Sequence, residues 1–516
     1  MTASAPSSAR TILAPPVFAA LGMAVSYYGY PFFVSGPGGL FLFFGLLFTL
    51  VAAVSFLRVL RLSPRLFFAA PGPPPLFFKL CVLVVAAATG FSLGIASRRS
   101  APGPVQTGIP AEQVIAVSGI LREDPRSLQS GSGLGTLELR GSAGQGGLRA
   151  SARGNLTVFF QPESIPRLKE FGRGSEIYAD GILSYGSRGP VFRAVSVHVV
   201  TPAPAIEQFR TGLRTTLLEQ FQSRADTRYG EAVPVWGALA SALLLGMRDD
   251  LDTEFSAAFF NSGCSYILAL SGMHLAVISA ILAFLIRRPL GIRRASLVGA
   301  VFIVFYVFVA GSQPSLTRSA IMYLIGTCAV LGVLKKNTLS ILSMAFIIQL
   351  VVQSGTGLSL SFKLSYLALT GMLTLGAAFH SLLRGRLPEL VNKGLCASLG
   401  AFIATAPIVA FYFGSLRPIG IIAGLLAAPL CSLFMIAALG ALAAAFLPLP
   451  LWTLFDVALT WLYRSLDFLV SLAGQVPGIT VSNPVPVLAV SCLLCLLVLF
   501  VKKRDNAYRN SIASFT

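Results

Sequence analysis

Four polar side chains stand inside long apolar runs of this chain: His274 in LALSGMHL, Arg318 in GSQPSLTRSAIM, and Lys363 and Ser365 in SFKLSYLA. Polar and ionisable groups at membrane depth are costly and tend to mark pathways for ions or polar solutes. Ser271–Gly272 interrupts one apolar run just before His274, and Gly311 to Pro314 interrupts the next just before Arg318. Broken helices with polar residues at the break are a common form of translocation site. Two plainer readings stand beside this one. His274 is satisfied inside a helix bundle, and Arg318 and Lys363 snorkel to the membrane surface. On the functional reading, Ser271, His274, Arg318, Lys363 and Ser365 line one outward-facing cavity.

A second group is acidic. Asp249, Asp250, Asp252 and Glu254 crowd the turn RDDLDTE. Such a cluster has the ligand chemistry of a divalent-ion site, but Asp is also a common helix N-cap, and the cap is the preferred reading. Catalytic signatures are mostly absent. The histidines are His198, His274 and His380, so no histidine-rich binuclear centre forms, and there is neither a P-loop nor an H-E-x-x-H. No cofactor is expected. Cys492 and Cys495 have C-x-x-C spacing without a second pair, and all seven cysteines lie in or beside apolar segments. They read as ordinary lipid-phase residues.

Composition sets the elements that must hold these groups. Only 11% of the 516 residues are charged and 55% are hydrophobic, against about 25% charged in a soluble domain. At roughly 20 apolar residues per span, the chain has room for about twelve transmembrane helices and one soluble domain. The net charge of +19 reads as loop charge that sets topology before it reads as nucleic-acid affinity.

Apolar runs at 13–34, 38–58 and 77–97 form an N-terminal transmembrane segment, 1–99. From 100 to 204 the texture changes to short alternating runs such as GTLELRG and NLTVFF, the pattern of a small β domain. At 205–229 an amphipathic helix with Ile206, Phe209, Leu213, Leu217 and Phe221 on one face, and Arg210 and Arg214 among them, suits a membrane surface. Residues 230–502 are the main membrane domain, with spans from about 265 onward, and 503–516 are a tail. Basic connectors (Arg58, Arg61 and Arg65; Arg287, Arg288, Arg293 and Arg294; Lys335 and Lys336; Arg384, Arg386 and Lys393; Lys502 to Arg504) alternate with uncharged ones. The alternation places both termini in the cytoplasm and the β domain outside. Parity then requires 230–262 to enter and leave on the same side, as a re-entrant helical hairpin containing Asp249, Asp250, Asp252, Phe255 and Phe259.

Four stretches carry a family resemblance. ALLLGMRDDLDTEFSAAFFNSGCSYILALSGMHLAVI, AGSQPSLTRSAIM, LSFKLSYLALTGML and GLLAAPL follow one another in the order and spacing of the ComEC family of competence proteins. Gly246, Phe259, Gly263, Leu268, Ser271, Gly272, His274, Pro314, Arg318, Leu364 and Ser365 fall on its motifs. The chain departs from the pattern at Tyr266, Lys363 and Gly424, where the family often has His, Gln and Asn.

The resemblance implies an inner-membrane channel for single-stranded transforming DNA. It also implies an external OB-like domain at 100–204 and a short form without the C-terminal metallo-β-lactamase-like domain of many members. Its implied partners are single-stranded DNA, the lipid bilayer, a cytoplasmic translocase and an external DNA receptor, with a homodimer as an open alternative. Arg122, Arg126, Tyr178 and Arg193 are candidate external DNA contacts. Tyr178, Phe159, Phe160 and Phe192 are candidate stacking residues, although alternating aromatics usually face a core. A secondary transporter for a small solute or anion is the rival reading, and an intramembrane enzyme using His274 with the acidic cluster is a third.

Overall fold

A computed structural model describes residues 15–34, 76–99, 105–128, 131–186, 189–222, 236–311, 313–332, 337–444 and 452–495. The expected span at 38–58, the connectors carrying Arg58, Arg61, Arg65, Lys335 and Lys336, residues 223–229 and the tail 503–516 lie outside the described residues. Among the described residues the first two helices are α1 (Pro15–Val34) and α2 (Leu76–Arg99). They pack closely: a Cβ added at Gly90 would come within 2.4 Å of the Met23 carbonyl oxygen.

The β-rich segment closes into a barrel. Its main strands are β1 (Val114–Leu121), β2 (Gly133–Gly144), β3 (Asn155–Phe160), β4 (Glu176–Gly186) and β5 (Gly189–Thr201). Leu137, Leu139, Leu156, Val158 and Phe160 are buried at alternate positions, as the two-residue period of a strand requires. β1 pairs antiparallel with β2 and β4, β2 antiparallel with β3, β3 parallel with β5, and β5 antiparallel with β4. The ring of pairings returns to its start, which removes free edges. Between β3 and β4 the short helix α3 (Ile165–Phe171) buries Ile165 and Leu168.

α4 (Ala205–Gln222) leads out of the barrel. Next come α5 (Gly237–Leu245) and α6 (Thr253–Asn261), nine residues each. At 1.5 Å per residue each is about 14 Å long, too short for a hydrocarbon core of about 30 Å. Eight of the nine α5 residues are buried, so its surroundings are protein on all sides.

α7 (Gly272–Ala310) is continuous by hydrogen bonding except at Gly291, whose φ of +72° is foreign to a helix. A straight helix of that length would separate its ends by roughly 58 Å. Instead Ser315 Oγ, just beyond one end, donates to the Leu270 carbonyl, just before the other, at 2.5 Å. α7 is therefore a hairpin of two arms that turns at Gly291, flanked by Arg287, Arg288, Arg293 and Arg294. Each arm has the length of a membrane span.

α8 (Pro314–Val330), α9 (Thr338–Val352), α10 (Leu360–Leu382), α11 (Glu389–Phe413), α12 (Gly420–Ala444), α13 (Trp452–Gly474) and α14 (Pro484–Cys495) follow. Among the described residues α7, α10, α11 and α12 are long and apolar enough to cross a membrane. Large apolar side chains stand open on their outer surfaces, Phe284 at 75% and Val301 at 73% exposure. Lipid is the solvent that makes such a surface stable. α10 contains a π-helical turn at Met372–Gly376 and crosses α11 at glycines, where a Cβ on Gly371 would come within 2.3 Å of the Gly400 carbonyl oxygen. Small residues permit this close approach, the usual basis of helix packing in lipid. The protein is thus a helical membrane protein with one small β domain.

Candidate functional site

The helix breaks meet at one place. A Cβ on Gly246, the left-handed cap of α5, would lie 2.6 Å from Leu270 Cδ1 and 3.3 Å from Gln313 Nε2. Leu270 lies two residues before α7 and Gln313 directly before α8, and the Ser315–Leu270 bond ties the two starts together. Gln349 Nε2, from α9, donates to the Pro314 carbonyl at 3.0 Å. Backbone groups freed by broken helices need such partners inside a bilayer.

His274 sits at this node with no solvent exposure. It is the third residue of the first turn of α7, and its ring folds back over the turn. The backbone N–H of Ser271 donates to His274 Nδ1 at 3.1 Å, and Ser271 Oγ lies 3.0 Å from the same nitrogen. This is the side-chain-to-N-cap half of a capping box, with His in the place usually held by Glu or Gln.

Arg318, on α8, is 7% exposed. Its Nη1 donates to the Ser365 carbonyl on α10, and its guanidinium carbon lies 5.7 Å from the centre of the Tyr366 ring. Tyr366 is held in turn, donating to Gln349 Oε1 at 2.8 Å. Gly272 lets Arg318 approach α7: a Cβ there would lie 3.4 Å from Arg318 Nη2 and 2.8 Å from Ser319 Oγ. The structure thus brings Ser271, His274, Arg318 and Ser365 to one node, Ser365 through its backbone carbonyl. The burial of His274 and Arg318 closes the node to solvent in this conformation.

Lys363 lies two residues before Ser365 on α10. Its Nζ is 3.3 Å from Tyr412 Oη and faces the rings of Tyr28 and Tyr412 at 5.9 and 5.6 Å from their centres. It is held by aromatic rings rather than by an acid.

The acidic turn has a different job. Asp252 caps α6, accepting from the Glu254 backbone N–H at 3.3 Å, and Asp249 pairs with Lys169 on α3 of the barrel at 3.2 Å. No cluster able to hold a metal ion occurs among the described residues. Phe255 and Phe259 are buried in the hydrophobic core of the helical domain, where Phe255 stacks on Tyr463 of α13 at 4.9 Å.

α4 carries the main link between barrel and membrane domain. Arg210 is 4% exposed and donates to Asp124 at 2.9 Å and to Glu207 at 2.6 Å. Arg214 donates to Asp124 at 2.7 Å and to the Leu245 carbonyl, at the end of α5, at 3.3 Å. Arg173 pairs with Glu207 at 2.7 Å. Burial by itself would raise the Asp124 pKa, but the charges of Arg210 and Arg214 outweigh it and hold the carboxyl below its usual range. The two arginines therefore face the barrel, while Ile206 and Phe209 stay exposed at 64% and 60%.

Among the external candidates, Arg122 is exposed and paired with Glu138 at 2.9 Å, and Arg126 is exposed and paired with Glu123 at 3.4 Å. Arg193 is exposed opposite Ile182 on the β4–β5 hairpin. Tyr178 and Phe159 are half-buried. Phe160 and Phe192 are 1% and 0% exposed; both belong to the barrel core and cannot stack on a ligand. One cation escaped the sequence reading. Arg248, in the turn after α5, is exposed at the start of the acidic turn. The signal for it was its place in GMRDD, directly after a helix-ending glycine.

A family model described as "Competence protein" matches residues 243–505, just over half of the chain. The chain is 25% identical over 277 residues to ComE operon protein 3 of Bacillus subtilis (strain 168), covering 52% of this chain and 34% of that protein. It is 24% identical over 261 residues to an uncharacterized protein of Aquifex aeolicus (strain VF5), covering 50% of this chain and 59% of that one. The matches thus span about a third and three fifths of these relatives' own lengths. No solved structure matches. Ser271, His274, Arg318, Lys363 and Ser365 all fall within the family match, and on that match the chain belongs to the competence protein family.

Proposed function

We propose that this protein is an inner-membrane channel that passes single-stranded DNA into the cytoplasm. The observation that carries the reading is electrostatic. Arg318 and Lys363 lie in the membrane domain with no carboxylate partner among the described residues. Buried cations are normally paired. Arg318, 7% exposed and without an anion, suits an anionic cargo that supplies the charge in passing, and the half-buried Lys363 adds to it.

The barrel supports the same reading. Five strands with the order β1-β2-β3-β5-β4 and a helix after the third have the connectivity of an OB-type barrel, a fold often used for oligonucleotides. In this proposal the barrel is external, both termini are cytoplasmic, about twelve helices span the bilayer, and α5–α6 form the re-entrant hairpin. Arg122, Arg126, Tyr178 and Arg193 meet the strand first. A cytoplasmic translocase supplies the energy, and an external receptor delivers the DNA.

The unpaired cations also favour a second reading, a transporter for a small anion. Arg318→Ala separates the two in a transformable host lacking its own homologue. The channel reading expects less labelled DNA in the cytoplasm at an unchanged protein level. Normal DNA uptake with a loss of small-anion flux would support the transporter.

A further inference from the structure

The Ser271–His274 contact fixes a tautomer. A backbone N–H only donates, so His274 Nδ1 is the acceptor of the 3.1 Å bond and the ring proton belongs on Nε2. That N–H is fully buried and has no partner. Arg318 repeats the pattern: its Nη1 is satisfied, while its Nε–H is buried without a partner. Both orphans are donors. Buried donors without acceptors are rare and costly, and here they flank the N-terminus of a membrane helix, which itself favours negative charge. Gly272 completes the arrangement, because any side chain there would push against Ser319 and sit in contact with Arg318.

We propose that the start of α7 is a tetrahedral-oxyanion site, built from His274 Nε2–H, the Arg318 guanidinium and the first turn of α7, that grips one backbone phosphate of the passing strand. This rests on the channel reading and deepens it. The site recognises charge and oxygen geometry and ignores the base, so it works on any sequence, as a DNA channel must. His274 serves as a neutral donor here and needs no proton exchange.

The test uses the full chain in lipid nanodiscs with a fluorescent oligothymidylate, titrated against inorganic phosphate and against chloride at equal ionic strength. The site predicts that, at equal ionic strength, phosphate displaces more of the oligonucleotide than chloride does. It also predicts that Arg318→Gln abolishes the difference and makes the plot of log affinity against log salt shallower by about 0.7, the value for one phosphate contact on a single strand. Arg318→Lys keeps most of that slope. Equal displacement by phosphate and chloride on the wild-type protein overturns the site even if the variant does not fold. Phosphate binding that leaves the oligonucleotide in place overturns its assignment to the strand. Either result can coexist with normal DNA uptake in cells, so failure of the site is distinct from failure of the channel.

Discussion

Arg214 joins two parts of the molecule by touching Asp124 of the barrel at 2.7 Å while also donating to the carbonyl of Leu245 at 3.3 Å. Asp124 and Leu245 are far apart in sequence, and one guanidinium holds them both. Arg214→Met keeps much of the side-chain volume and removes both bonds. Breaking hydrogen bonds to a buried charge costs about 1–3 kcal/mol. We expect a lower melting temperature and faster proteolysis near α4, with the barrel itself still folded. Unchanged protease sensitivity would show that the link does not hold the barrel in place.

The same network makes stability depend on pH. The folded pKa of Asp124 lies below its ordinary value of 3.8, because Arg210 and Arg214 overcome the effect of burial. Glu207 is lowered for the same kind of reason by Arg210 and Arg173. A carboxylate with a depressed folded pKa contributes fully above its unfolded pKa, and that contribution is lost as pH falls toward the folded value. Thermal stability should therefore fall on acidification below the ordinary carboxylate range. Asp124→Asn should be less stable at neutral pH and show a flatter acid limb. An acid limb as steep as that of the wild type would remove Asp124 as its origin.

The acidic turn can be assigned by substitution. Loss of a helix N-cap costs roughly 1 kcal/mol, and Asn replaces Asp well there. We expect Asp252→Ala to lower the melting temperature and Asp252→Asn to restore it. Magnesium or calcium should have no effect on any of the three proteins. Stabilisation of the wild type by a divalent ion, lost in both variants, would return the turn to metal binding.

How much of this was legible in the sequence depended on the range of the interactions. The alternation in GTLELRG and NLTVFF is local, and it located the strands. The parallel pairing of β3 with β5 is not local, and only the fold reveals the closed ring. The breaks at Ser271–Gly272 and Gly311–Pro314 were visible as residue types, but nothing in the sequence said that Gly246 would lie against both. Arg210 and Arg214 illustrate the limit. Helical spacing put them beside an apolar face and suggested a membrane surface; their acidic partner, Asp124, sits in a loop that periodicity does not reach. Phe160 and Phe192 followed the ordinary strand rule and turned inward. Arg248 stays exposed, as a charge in a turn reads from the sequence.

Packing of α10 on α11 gives a prediction about the membrane domain alone. A Cβ at Gly400 would come within 2.5 Å of the Gly376 backbone nitrogen. Overpacking of this kind usually costs about 1–3 kcal/mol, and here the obstacle is backbone, which has little room to yield. Gly400→Ala should reduce the yield of folded protein from membranes, while the same change at Gly326, which has open space around it, should not. Equal yields would mean that the two helices separate without cost.

The direct measurement is the amount of nuclease-protected, strand-labelled DNA in the cytoplasm of a transformable host whose own homologue has been deleted, with and without this chain restored. We predict that restoring the chain brings one labelled strand into the cytoplasm and that its absence leaves the DNA outside. Equal internal DNA in both strains would contradict the channel.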